Sequence, residues 1–344
     1  MKGQLLVVNV AVTLSLLPAF GVMGQALAQD APVAKFRSSI DVVSVSAIVR
    51  DRKGRFVGNL ERKDFIVAEA GQARPILDFR AQSDGPAKLA LLFDISGSMR
   101  VGSKAVDARQ AALHLFSALR PGDEAAVFSF DTRLDRVTPF TSDIASLMAS
   151  LDRVEAPFGQ TSLYDAVAET ARAVADEGPG AGRVPQRSAV VVLTDGVDTR
   201  SRLTPEQVST IASSIDIPVY IVAVMSLIDD PRESADGDDT PESPLSSLAR
   251  LTGGELFIAS APAHASTAAR EIIDELRHQY VLAFEASNRD GWRALEVRAR
   301  DRALTVRARS GYSSGNTGLV GTTEGSRRDT ESIAQLNIVA RRQR

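Results

Sequence analysis

The sequence predicts an α/β protein: a doubly wound, mainly parallel sheet with a small flanking β domain formed from N- and C-terminal segments. Three observations carry that expectation. Continuous apolar runs alternate with amphipathic helical stretches through the middle of the chain. Period-two alternation of apolar and polar residues brackets this region on both sides. With 44% apolar and 24% charged residues over 344 positions, the chain can bury one large core and a satellite.

Residues 1–28 read as an export signal: Lys2, an apolar run from Leu5 to Phe20, and the small-residue ending Ala26-Leu27-Ala28. Cleavage after Ala28 would leave Gln29 first. An uncleaved anchor is the alternative, because the run is near the lower limit for crossing a bilayer. No second stretch of that length follows, so no membrane span is expected after cleavage. A periplasmic or secreted location is the expectation. The absence of cysteine rules out zinc–thiolate sites, thiol catalysis and a lipidated N-terminal cysteine. The net charge of -3 falls to -4 when Lys2 leaves with the signal, and it gives no footprint for nucleic acid.

Residues 29–86 form an N-terminal β segment. Val43, Val45 and Ala47 alternate with serines, Asp51-Arg52-Lys53-Gly54 makes a turn, and Leu60 to Glu69 and Pro75 to Arg80 continue the pattern. Turn formers from Gln82 to Pro86 mark the boundary. Residues 87–262 carry the doubly wound, Rossmann-like sheet. Leu89 to Phe93 is a strand covered on both faces, followed by strands at Ala125 to Phe130, Ser188 to Leu193, Val219 to Met225 and Glu255 to Ile258. Helices are expected near Lys104 to Leu119, Ile144 to Leu151, Leu163 to Asp176, Pro205 to Ser213 and Pro244 to Leu251. Residues 263–312 supply a last helix, Ala265 to Tyr280, and two alternating runs meeting at Asp301-Arg302 as a hairpin. That hairpin would carry Arg298, Arg300, Arg307 and Arg309 on one wet face. Residues 313–344, rich in Gly, Ser, Thr and Arg, are expected to be a disordered tail.

The chemistry concentrates where the first buried strand ends, at Asp94-Ile95-Ser96-Gly97-Ser98. Ligands of open parallel sheets bind beyond the carboxyl ends of the strands. One carboxylate and two hydroxyls from a single loop are hard oxygen donors suited to a small divalent cation, Mg²⁺ above all, with Mn²⁺ or Ca²⁺ as alternatives. Gly97 is expected to let the loop fold tightly enough for Ser96 and Ser98 to face one point. This Asp-x-Ser-x-Ser resembles the opening of the metal-ion-dependent adhesion site (MIDAS) of von Willebrand factor type A domains. Gly159-Gln160-Thr161-Ser162 resembles that family's second metal loop, and Leu193-Thr194-Asp195-Gly196 its third, in family order. The flanks, with Lys63-Asp64-Phe65 and Arg309-Ser310-Gly311-Tyr312, resemble those of a bacterial exported family related to this domain.

The resemblance implies that Ser96, Ser98 and Thr161 contact a metal, that Asp94 and Asp195 hold its waters, and that one position stays open. An Asp or Glu carboxylate of a partner protein would take it, in an adhesion or assembly role. The bland alternative makes Ser96 and Ser98 helix caps and Asp195-Gly196 a turn. No catalytic residue is assigned: Gly-x-Ser-x-Gly, a Gly-Lys-Ser/Thr phosphate loop and His-Glu-x-x-His are missing. A Mg²⁺-dependent hydrolase on the same sheet, and a structural envelope module, are the competing readings. An acidic insert from Asp229 to Glu242 is read as a solvated loop, with a carboxylate reaching the metal as the sharper alternative. His114, His264 and His278 lack metal-ligand spacing.

Overall fold

The computed structural model describes residues 42–81, 86–154, 158–177, 187–224, 243–287, 289 and 291–314. The export signal, most of the Gln82 to Pro86 boundary, the acidic insert and nearly all of the tail lie outside the described residues. Among those described, no helix is long and apolar enough to cross a membrane.

The N-terminal segment supplies β1 (Val42–Arg50), β2 (Phe65–Glu69), β3 (Gln72–Arg74) and β4 (Ile76–Ala81). The middle of the chain then runs β5 (Ala87–Asp94), α1 (Lys104–Ser117), β6 (Glu124–Phe130), β7 (Leu134–Thr141), α2 (Ile144–Ser150), α3 (Leu163–Asp176), β8 (Arg187–Thr194), α4 (Pro205–Ser214), β9 (Val219–Val224), α5 (Pro244–Thr252), β10 (Leu256–Ala259) and α6 (Pro262–Arg277). The chain closes with β11 (Gln279–Glu285), β12 (Gly291–Ala299), β13 (Thr305–Ala308) and β14 (Gly311–Ser314). β14 therefore carries regular structure two residues into the stretch read as tail.

Six strands form the central sheet in the order β10-β9-β8-β5-β6-β7, and only the β6–β7 pair is antiparallel. β5 explains why its run is apolar throughout. Leu89, Leu91 and Phe93 face a core shared with α1, α2 and α6, while Ala90 and Leu92 face one shared with α3 and α5. A strand covered on both faces cannot alternate. Full burial of one such leucine is worth about 2 kcal/mol. Two caps fix helix starts locally: Asp143 accepts from the amides of Ala145 and Ser146, and Thr204 forms a capping box with Gln207. β7 escaped the sequence reading because Pro139 and the charged pair Asp135-Arg136 interrupt its pattern. Proline is tolerated there because β7 is the edge strand.

The flanking strands make two antiparallel sheets, β13-β1-β11-β4 and β14-β12-β2-β3. Val45, Val49, Phe65, Tyr280, Leu282, Phe284, Val297 and Tyr312 fill the space between them. Neither terminal segment completes this sandwich alone.

The expected hairpin at Asp301-Arg302 does not form. β12 pairs with β2 and β14, whereas β13 pairs with β1 in the other sheet. Period-two alternation says which face is wet but not which neighbour a strand takes. The four arginines consequently do not share a wet face. Arg298 and Arg300 stay exposed, but Arg307 pairs with Glu255 and Glu275, and Arg309 is buried and reaches Asp216 at 3.4 Å. These pairs tie the sandwich to the central sheet and its helices.

The sandwich also buries a charge, because Glu69 is 1% exposed and meets Arg74, Arg293 and the Tyr312 hydroxyl. Burial pushes its carboxyl up, but hydrogen bonds from Tyr312, Ser287 and Arg293 outweigh that and hold it at about 2. A carboxyl held below its unfolded value stabilises the fold above pH 4.5, and that contribution disappears as pH falls toward 2. Glu69→Gln is expected to cost about 3 kcal/mol at pH 7. In urea melts the gap from wild type should narrow as pH drops; a gap independent of pH would remove the charge from the explanation.

Candidate metal centre

Three loops at the carboxyl ends of β5 and β8 and before α3 are tied to one another. After β5 the chain turns sharply, and Ile95 N–H donates to Phe130 O at the end of β6 (2.9 Å). Phe158 N–H donates to Ile95 O (2.7 Å) and Gly97 N–H to Gly159 O (2.9 Å), which joins the second loop to the first. Gly97 matters here for a reason other than loop conformation. Its backbone needs no left-handed angle, but a Cβ would stand 3.1 Å from Gly159 O. Close approach of the two loops is what selects glycine.

The side chains of the first and third loops meet directly. Ser96 Oγ and Ser98 Oγ are 3.1 Å apart, and Ser98 Oγ donates to Asp195 Oδ1 at 3.1 Å. Asp94 lies fully buried behind them. Its carboxylate accepts from Ser96 N–H at 2.8 Å and from the Thr194 hydroxyl at 2.6 Å. Burial raises the Asp94 carboxyl to about 6, against the hydrogen bonds from Thr194 and Ser96, and the charge of Asp195 adds to the rise.

Thr161 is tied to the chain that follows Asp195 through its backbone. Its N–H donates to Thr199 Oγ1 (2.9 Å), and its carbonyl accepts from Thr199 N–H (3.0 Å) and Arg200 N–H (2.8 Å). The residue is 2% exposed, yet its hydroxyl has no hydrogen-bond partner among the described residues. The two touching hydroxyls and the carboxylates of Asp94 and Asp195 are hard oxygens that fit a small divalent cation, and Thr161 offers a further hydroxyl on a loop bonded to theirs. Among the described residues there is no cluster of three or more His, Cys, Asp or Glu side chains that could hold a metal; this centre pairs two carboxylates with hydroxyls instead.

Sequence reasoning missed two members of the centre. Thr194 stood inside a quoted motif, and its place beside an aspartate at a strand end was the available signal. Lys104 gave none. Its ammonium lies 3.1 Å from Asp195 Oδ2, with both side chains almost fully buried. Lys104 therefore leaves the Asp94–Asp195–Lys104 trio with net charge -1 when both carboxylates are ionised. That weaker field would lower affinity for a cation and would leave a bound one more electrophilic.

Residues 89–197 match the family model described as von Willebrand factor type A domain. No curated protein matches the chain. Among solved structures, BatB from Bacteroides thetaiotaomicron is 18% identical at a TM-score of 0.43, over 55% of this chain and 98% of BatB. A von Willebrand factor type A protein from Catenulispora acidiphila is 14% identical at 0.45, over 81% of this chain and 76% of its own. Proximal thread matrix protein 1 from the mussel byssus, with a zinc-occupied MIDAS motif, is 18% identical at 0.44, over 60% of this chain and 49% of its own.

Proposed function

We propose, from the match of residues 89–197 to the von Willebrand factor type A domain model, that the chain is a metal-dependent protein-binding module of the bacterial cell envelope. Ser96, Ser98 and Thr161 would hold a divalent cation, Mg²⁺ in the first instance, and Asp94 and Asp195 would orient its waters. When bound, the cation supplies an electrophilic position for an Asp or Glu carboxylate of the partner. The observation that carries this reading is the Ser98 hydroxyl, placed between Ser96 and an aspartate 97 residues away. Helix capping does not require that link, and neither Ser96 nor Ser103 makes a side-chain cap.

Binding is favoured over hydrolysis by the state of the two carboxylates. Asp94 accepts from Ser96 and Thr194, and Asp195 accepts from Ser98 and Lys104. Both carboxylates are thereby engaged in holding the loops together, a positioning role. The signal-like residues 1–28 support export to the periplasm or beyond.

Calorimetric titration with Mg²⁺ and pull-down from envelope extract, on wild type and on Ser96→Ala/Ser98→Ala, test the proposal. The double variant should lose metal binding and its metal-dependent partners. Partners retained equally by both proteins would move the binding surface away from this centre.

A further inference from the structure

Each carboxylate of the metal centre is held by different partners at its two oxygens. Asp94 Oδ1 accepts from Ser96 N–H at 2.8 Å, and its Oδ2 accepts from the Thr194 hydroxyl at 2.6 Å. Asp195 Oδ1 accepts from the Ser98 hydroxyl at 3.1 Å and from Val197 N–H at 3.4 Å, while its Oδ2 accepts from the Lys104 ammonium at 3.1 Å. Neither carboxylate can turn both oxygens toward one ion without giving up a partner. For Asp94 those partners are neutral groups at the ends of β5 and β8. For Asp195 one of them is a cation brought in by α1.

Helix stability does not account for Lys104. It is the first residue of α1, where the positive end of the helix dipole disfavours a cation. Its side chain is 8% exposed and that of Asp195 2%, so both charges also give up their hydration. An ion pair this buried contributes little to stability compared with apolar side chains of the same size, but it fixes where its members point. The member fixed here belongs to the metal centre.

Hard divalent cations differ in what they ask of a carboxylate. Ca²⁺ takes many oxygens in flexible geometry and often grips both oxygens of one carboxylate, whereas Mg²⁺ demands a regular octahedron and keeps several of its waters. We propose that Lys104 is a specificity-determining residue of this centre: it keeps Asp195 Oδ2 from the ion and thereby selects Mg²⁺ against Ca²⁺. Lys104 is a positioning residue, acting through Asp195 and not by touching the ion. This rests on the metal-dependent reading above, and the experiment separates the two.

The full chain is titrated calorimetrically with Mg²⁺ and, separately, with Ca²⁺. Wild type should bind Mg²⁺ more tightly; a preference for Ca²⁺ overturns the inference whatever the variants do. Lys104→Met removes the charge and keeps an unbranched apolar stem. Loss of the positive charge should tighten Mg²⁺ binding about ten-fold, and release of Oδ2 should tighten Ca²⁺ binding by about a further ten-fold beyond that. The ratio of the two constants therefore moves toward Ca²⁺. Equal tightening of both ions would reduce Lys104 to a charge, and a lower melting temperature with unchanged metal binding would reduce it to a fold contact; either result overturns the inference. Lys104→Met/Asp195→Asn leaves no buried carboxylate unpaired, and the amide offers a single coordinating oxygen. Its ratio should return toward Mg²⁺, and a ratio that stays with Lys104→Met would mean that the lysine does not act through Asp195. If the ratio never moves while Ser96→Ala/Ser98→Ala abolishes binding of both ions, the selectivity inference fails and the metal reading stands. If wild type binds neither ion, the metal reading itself is overturned.

Discussion

In EDTA at neutral pH, Asp94→Asn is expected to melt above the wild type, and in Mg²⁺ the order should reverse. The reason is a carboxylate fully buried with only hydrogen bonds to hold its charge. Its pKa in the metal-free fold is raised from 3.8 to about 6, so between those values the folded state binds the extra proton. Stability of the metal-free protein therefore falls as pH rises through this window and stays low above it. At pH 7 the penalty is on the order of 3 kcal/mol, or roughly 8 °C in a domain this size. Asparagine removes the charge and keeps the shape. A cation near the carboxylates reverses the balance for wild type alone, because at a thousand times its Kd it contributes about 4.1 kcal/mol. Thermal melts of both proteins, with and without Mg²⁺ and from pH 4 to 8, decide the matter. Equal Mg²⁺ responses would detach Asp94 from the metal.

Gly254→Ala is expected to leave little folded protein. A Cβ at this position would stand 2.0 Å from Val219 O and 2.5 Å from its carbonyl carbon. Both are backbone atoms of β9, and no side-chain rotation relieves the clash. Gly253 beside it has φ +87°, and a Cβ there would meet Arg309 N at 2.8 Å. The glycine pair is thus where the end of α5 meets β9 on one side and the chain leading into the sandwich on the other. The cost should exceed about 4 kcal/mol. Soluble yield and a urea melt would show it, and a melt close to wild type would mean that β9 yields at Val219 more easily than a central strand should.

The fold class was readable because its signals are local. A strand covered on both faces must be apolar throughout, as β5 is, and an amphipathic helix must show its stripe, which gave α3 its observed bounds from Leu163 to Asp176. The three oxygen-bearing loops were legible for the same reason, since each is a short run at a strand or helix boundary. What had to wait for the tertiary structure involves partners distant in the chain. Lys104 looks like any lysine opening a helix, and only the fold brings it to an aspartate 91 residues away. Arg307 and Arg309 alternate like solvent-facing residues, yet the separation of β12 and β13 into different sheets turns them toward Glu275 and Asp216. Side-chain periodicity records how a segment divides its faces between core and surroundings. Whether those surroundings are water or another layer of protein depends on chain that the segment does not contain.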